Sequence, residues 1–157
     1  MPQPTPEHVW LQRLVGDWDL EIEMPVGPGQ PPMRSRGSDS SRMVGDFWLV
    51  SEGKNNEFLY HCRLTLGYDV RSRRYVGTWL DSMSAFLWHY TGSVDASGER
   101  LTLETEGPFP PDGGQIVKFR EITEFKSADH RVFTSARLGE NGQWQVQLRI
   151  DFRRKKA

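Results

Sequence analysis

From Trp18 onward the apolar residues of this chain recur at every second position. Trp18, Leu20, Ile22 and Met24 fall on one face, and Asp19, Glu21 and Glu23 on the other. That is the pattern of a strand with one dry and one wet side. Further strand-like stretches follow near 36–43, 46–53, 58–68, 74–81, 87–95, 99–106, 115–125, 130–138 and 143–153. Each is closed by turn chemistry, with Val94-Asp95-Ala96-Ser97-Gly98 and Gly139-Glu140-Asn141-Gly142 marking hairpins. No helical pattern separates these strands, so the long crossovers that parallel pairing needs are missing and an antiparallel meander follows. About ten strands in an open sheet leave two edges exposed, and closure into a barrel removes them. The expected fold is therefore all-β: a single antiparallel meander barrel of about ten strands. A barrel of this size has room for a small ligand.

The N-terminus adds one helix. Residues 1–6 carry three prolines and are expected to be extended or disordered. Thr5 can cap a helix that has Pro6 at its first position and Glu7 in its first turn. Val9, Trp10, Arg13 and Leu14 then fall at helical spacing, and Gly16 ends the run. Residues 25–33 read as a Pro/Gly-rich loop. Pro108, Pro110, Pro111, Gly113 and Gly114 read as a second loop, closed to strand.

A length of 157 residues fits one domain over 1–157. Aromatic residues make up 11% of the chain, with six Trp, which suits a small β protein with a ring-filled interior. The formal net charge of -1 removes any global electrostatic case for nucleic acid or an anionic membrane. The run Arg153–Lys156 reads as a solvated tail. The one cysteine, Cys62, has no intramolecular partner and reads as a small buried hydrophobe. No basic and apolar leader is present and no run approaches the roughly 18 apolar residues of a membrane span. A cytoplasmic location is the expectation.

Candidate site residues cluster in the middle of the chain. The stretch Leu66–Ser84, LGYDVRSRRYVGTWLDSMS, reads as two strands around a polar turn. The second strand puts Trp79 and Asp81 on one face with Tyr75 and Gly77. A carboxylate beside an indole suggests the polar handle of a pocket, while a strand-end Asp can equally cap the turn at Ser82–Ser84. In Leu87-Trp88-His89-Tyr90, Trp88 and Tyr90 face one way and His89 the other; His89 can line a cavity as base or ligand, or sit on the surface. His61 is expected to point outward with Arg63. On the strand near 115–125, Phe119 and Phe125 pointing inward would carry Glu121 in with them; the opposite register would carry Arg120 in. An inward Arg could hold a carboxylate or phosphate, or pair internally with Asp81 or Glu52. No Gly-x-Ser-x-Gly, P-loop, dinucleotide-binding glycine pattern or clustered His/Cys spacing occurs.

Gly16-Asp17-Trp18, after a short helix and opening the first strand, resembles the Gly-x-Trp signature of the lipocalin and fatty-acid-binding-protein (calycin) superfamily. In those proteins the Trp packs at the closed barrel end beneath a basic residue of the last strand, a place Arg153 or Arg154 would fill here. Over nearly its whole length the chain is more closely similar to a bacterial domain-of-unknown-function family, number 1579. The shared features are the helix and Gly-x-Trp start at His8–Trp18, Gly67-Tyr68-Asp69, Trp79-Leu80-Asp81-Ser82, and Phe119-Arg120-Glu121. The resemblance implies a lipocalin-like barrel and brings no established activity, cofactor or catalytic residue. The sequence departs from the haem-binding nitrobindin branch. Trp18 is followed by Asp19-Leu20-Glu21 rather than glycines, and the late histidine, His130, falls in a polar turn.

The expected function is the binding of a small hydrophobic or amphipathic ligand, one with an anionic group included, in a pocket lined by Tyr68, Trp79, Asp81, His89 and Arg120. Neither cofactor nor metal is expected, and neither nucleic acid nor membrane as a partner. One alternative is an enzyme using the same cavity with His89 or Asp81 as general base. Another is a structural or interaction protein with a self-filled barrel. In that case Trp48, Trp88 or Trp144 would form an outer patch, which could also support a homodimer.

Overall fold

The computed structural model describes residues 1–111 and 113–156. Ten antiparallel strands close into a barrel: β1 (Gly16–Met24), β2 (Met33–Val44), β3 (Trp48–Asn55), β4 (Tyr60–Asp69), β5 (Arg74–Asp81), β6 (Trp88–Val94), β7 (Arg100–Phe109), β8 (Gln115–Ser127), β9 (His130–Leu138) and β10 (Trp144–Arg154). Each strand pairs with its neighbours in sequence, and β10 returns to pair with β1, Trp18 opposite Arg154. The meander and its closure are as the turn spacing requires.

The alternation sorts the two faces of the wall. On β1, Trp18 and Leu20 are buried while Asp19 and Glu21 are exposed. The wet side carries ion pairs, most of them between neighbouring strands. Arg42 and Arg63 flank Glu52, Arg100 and Lys126 flank Glu124, and Arg120 faces Glu104 at 3.9 Å. Exposed pairs of this kind contribute little to stability, roughly 0–1 kcal/mol each. The fold rests on the inner side.

A short helix, α1 (Pro6–Trp10), followed by a 3-10 turn over Leu11–Leu14, closes one end. The Thr5 N–H donates to His8 Nδ1 at 3.0 Å, and His8 Nε2 donates to the Tyr68 carbonyl at 3.1 Å. The Tyr75 hydroxyl donates to the Glu7 carbonyl at 3.0 Å, and Trp10 Nε1 to the Gly98 carbonyl at 2.7 Å. The tightening at Leu11 changes which side faces in. Leu11 and Leu14 are fully or nearly fully buried, whereas Val9, placed on the apolar face by a regular helical period, is exposed. Leu11 and Leu14 join Leu49, Leu66, Tyr75, Leu101 and Phe125 in one core cluster at this end.

Two loop assignments are corrected. β2 begins at Met33, earlier than the alternation suggests. Pro108 lies inside β7, opposite Ile116 of β8. The reason is local: β6 pairs with β7 only over Leu101–Glu104, so beyond Glu104 the strand is bonded on one side alone. A proline on such an edge gives up no ladder bond.

Candidate functional site

The barrel has a packed end and an open end. At the packed end Trp18 has no exposed surface, its Nε1 donates to the Leu14 carbonyl at 3.0 Å, and its ring lies 4.2 Å from the guanidiniums of both Arg131 and Arg154. Toward the other end the inward side chains change character. Leu64, Trp79, Glu121, Phe133, Leu148 and Ile150 all face the interior by register, yet each is only half-buried. This half of the barrel is packed less tightly than the plugged end, and its interior is the candidate lumen. Its mouth is ringed by exposed apolar side chains from the connecting segments and strand ends, among them Phe58, Leu59, Met83, Leu87 and Phe109.

Trp79 and Asp81 share the inner face of β5. The Trp79 indole N–H donates to Asp81 Oδ2 at 3.3 Å, while Oδ1 accepts the Met83 N–H at 2.8 Å. Asp81 therefore caps the turn and faces the lumen at once. Register places Gly53 opposite Cys62 and Cys62 opposite Asp81. Burial, reinforced by the charges of Asp39 and Asp81, pushes the Cys62 thiol up to about 12, so it stays protonated and unreactive. Tyr60 is raised too, mainly by burial and further by the nearby Asp81 carboxylate.

The register of β8 carries Phe119, Glu121 and Phe125 inward. Arg120 lies on the outer wall, its guanidinium 4.2 Å from the Trp144 ring. His89 is likewise exposed on the outer face of β6, opposite Thr78. The expectation that His89 and Arg120 line the lumen is thus corrected by strand register, and with Arg120 goes the residue that argued for an anionic ligand. An His89 base inside the barrel is ruled out on the same ground. Tyr68 faces inward at the packed end, edge-on to Tyr75 at 5.0 Å and to His8 at 5.8 Å, so it belongs to the floor beneath the lumen. The five candidates therefore do not converge: Trp79 and Asp81 meet, Tyr68 lies below them, and His89 and Arg120 lie outside.

Residues beyond the five candidates also face the lumen. Glu121 stands opposite Leu103 and Ser135. Burial pushes its carboxyl up to about 7, against the opposing pull of the Ser135 and Tyr90 hydroxyls. Among the described residues one carboxylate oxygen, Oε2, has no partner; the same is true of Thr105 Oγ1, Arg137 Nε and Arg131 Nη1. A buried polar atom left unpaired costs about 1–3 kcal/mol, and native interiors hold few of them. Deeper in, Asp39 is satisfied by the hydroxyls of Ser41, at 2.6 Å, and Ser51. The Phe119–Glu121–Phe125 alternation was the signal for Glu121; nothing local announced Arg137 or Thr105.

Rings wall the same side of the mouth. Trp88 lies edge-on to Phe86 at 5.0 Å and to Phe119 at 5.2 Å, and Phe109 is 6.4 Å from Phe119. Gly107 makes room for this: a Cβ there would come within 2.0 Å of the Trp88 ring. Trp48 and Trp144 are exposed but lie at opposite ends of the barrel, and Trp88 faces inward, so the three form no common outer patch.

All four histidines lie away from the lumen. His8 is in the plug, His61 and His89 are exposed outward, and His130 sits on β9 at the packed end, 2.7 Å from Asp151. Among the described residues no group of three or more His, Cys, Asp or Glu side chains could hold a metal ion. No helix among them is long and apolar enough to cross a membrane. Two open grooves of about 300 and 370 Å³ lie near the mouth, against residues 25–32 and across β1–β2; neither includes Trp79, Asp81 or Glu121.

A family profile described as "Protein of unknown function (DUF1579)" matches residues 3–154. The chain belongs to the DUF1579 family. Among solved structures, this DUF1579 chain is similar to the crystal structure of Rv2717c from M. tuberculosis. The TM-score is 0.66 at 14% identity, covering 98% of this chain and 100% of that one. A redesigned β barrel also matches, with a TM-score of 0.44 at 11% identity, covering 98% of this chain and 100% of that one. At 14% identity the likeness to the Rv2717c structure is one of fold. A comparison with curated proteins finds no match.

Proposed function

We propose that this DUF1579 protein binds a small, partly apolar molecule in the open half of its barrel. The observation that carries the reading is the contrast between the two ends. Trp18, Leu49, Leu66 and Tyr75 at the packed end are buried to a few per cent, while Leu64, Trp79, Phe133, Leu148 and Ile150 remain half-buried. Apolar walls with a few polar groups are the usual make-up of a small-molecule site. Trp79, Trp88 and Phe119 supply the walls here, and Asp81 and Glu121 the polar groups. The Trp18–Arg154 stack at the packed end supports a lipocalin-like architecture, a class built to hold ligands inside.

The test is titration of the protein with N-phenyl-1-naphthylamine, a neutral apolar dye that fluoresces on leaving water. Trp79→Ala is expected to weaken dye binding at least about fivefold, the loss of part of one aromatic wall. Trp10→Ala, in the plug, and His89→Ala and Arg120→Ala, on the outer wall, are expected to change it less than twofold. Equal losses for Trp79 and Trp10, or dye that never brightens, would remove the lumen as the site. Native mass spectrometry of the purified protein provides an independent reading: a retained small-molecule mass that disappears on denaturation.

A further inference from the structure

Among the described residues, three of the four unpaired buried polar atoms lie on one patch of the inner wall. Register sets Thr105, Phe119 and Arg137 side by side on β7, β8 and β9, and Glu121 stands two residues along β8 from Phe119 on the same face. Thr105 Oγ1, Glu121 Oε2 and Arg137 Nε thus belong to inward residues of three adjacent strands, each without a partner among the described residues. The fourth, Arg131 Nη1, belongs to the packed end, where its guanidinium lies 4.2 Å from the Trp18 ring and 4.0 Å from that of Phe152.

We infer that this patch recognises a neutral, planar head group carrying a hydrogen-bond donor beside an acceptor, a primary carboxamide or a lactam, on a flat aromatic body. The inference rests on the reading of the lumen as a small-molecule site. Arg137 Nε–H requires an acceptor, the Glu121 carboxylate requires a donor, and the Thr105 hydroxyl serves as either. One positive and one negative side chain on the patch disfavour a charged head of either sign. A carboxylate would meet Glu121, and an ammonium would meet Arg137. Burial holds the Glu121 carboxyl near neutrality in its titration, and an amide answers both of its forms. It donates to the carboxylate and accepts from the acid.

The body follows from the rings beside the patch. Trp88, lying flat over Gly107, and Phe119, edge-on to it at 5.2 Å, offer surfaces for a stacked ring. Phe109 covers the Arg137 guanidinium at 4.1 Å from the mouth side and is itself 37% exposed at a strand end. It is the side chain that an entering ligand displaces.

Four probes of one shape separate the possibilities: 2-methylnaphthalene, 2-naphthamide, 2-naphthoate and 2-naphthylmethylammonium, titrated by quenching of tryptophan fluorescence. The expected result is that 2-naphthamide binds about tenfold more tightly than each of the other three, the value of one well-made hydrogen bond. That advantage falls below threefold in Thr105→Val and in Glu121→Leu, while 2-methylnaphthalene binds each variant as it binds the parent. Thr105→Val conserves shape and decides the matter if Glu121→Leu fails to fold. Equal binding of 2-naphthamide and 2-methylnaphthalene overturns the head-group inference and leaves the lumen reading standing. Tightest binding by the naphthoate or the ammonium also overturns the inference, in favour of a charged ligand. Binding by none of the four overturns both.

Discussion

The Arg154 guanidinium lies 4.2 Å over the Trp18 ring, joining the last strand to the first. Its Nε donates to Asp129 Oδ1 at 2.9 Å, and its terminal nitrogens donate to the carbonyls of Val15, Arg13 and Ala128. Three separate segments, the plug, the β8–β9 turn and β10, are thereby held by one side chain. Trp18→Ala is expected to destabilise the protein by about 3–5 kcal/mol, as for other fully buried rings. Arg154→Ala is expected to cost about 1–3 kcal/mol through the orphaned carbonyls. Chemical denaturation followed by circular dichroism measures both. A loss under 1 kcal/mol for Trp18→Ala would mean that the packed end is not the stable part of the barrel.

Glu121 makes stability depend on pH in a direction opposite to that of most carboxylates. Its folded pKa, about 7, lies above its ordinary value of 4.5, so the folded chain keeps a proton that the unfolded chain has released. The stability this proton confers is present at acid pH and lost as pH rises through that window. Glu121→Gln lacks the titration. Relative to this variant, the parent is expected to lose about 2 kcal/mol between pH 5 and pH 8. Parallel pH profiles for the two proteins would show that the carboxyl is not held in a desolvated site.

Cys62 offers a third test. With its thiol pushed up to about 12 by burial first and by neighbouring carboxylates second, it is almost wholly protonated at pH 8. Labelling by a disulfide reagent is expected to run at least ~100-fold slower in the native protein than in denaturant. Comparable rates would place the thiol in free solvent and contradict the register that sets it beside Gly53 and Asp81.

The fold was legible because it depends on features that a single strand displays. Period-two alternation and Gly/Asn/Asp turns located all ten strands and implied the closure. The exceptions have physical causes that lie outside the local pattern. Pro108 is tolerated because β6 is too short to reach it. Val9 is exposed because the helix tightens at Leu11. The candidate site was legible only in part. Trp79 and Asp81 were set together on one strand face because a carboxylate on an apolar strand stands out. On β8 both faces carry charge, so the strand alone did not say whether Arg120 or Glu121 faces in; only pairing with β7 and β9 decides it. Alternation sets His89 on the face opposite Trp88 and Tyr90, and only the pairing of β5 with β6 decides that this face is the outer one. Thr105 and Arg137 carry no local mark at all. What distinguishes them is the lack of a partner, and that exists only once three strands are assembled.

The pairing of β1 with β10 also governs how this molecule can come to be folded. Every other pair of strands is joined by a local connection, the longest of them residues 25–32, and can form as soon as its second strand exists. The seam alone needs the two ends of the chain together, with the entropy of all the intervening residues to be overcome. Until the final strand is available, β1 and β9 each present an unpaired edge. Seam formation is therefore the step expected to limit the folding rate, and the interval before it is when the chain is most open to pairing with another copy of itself.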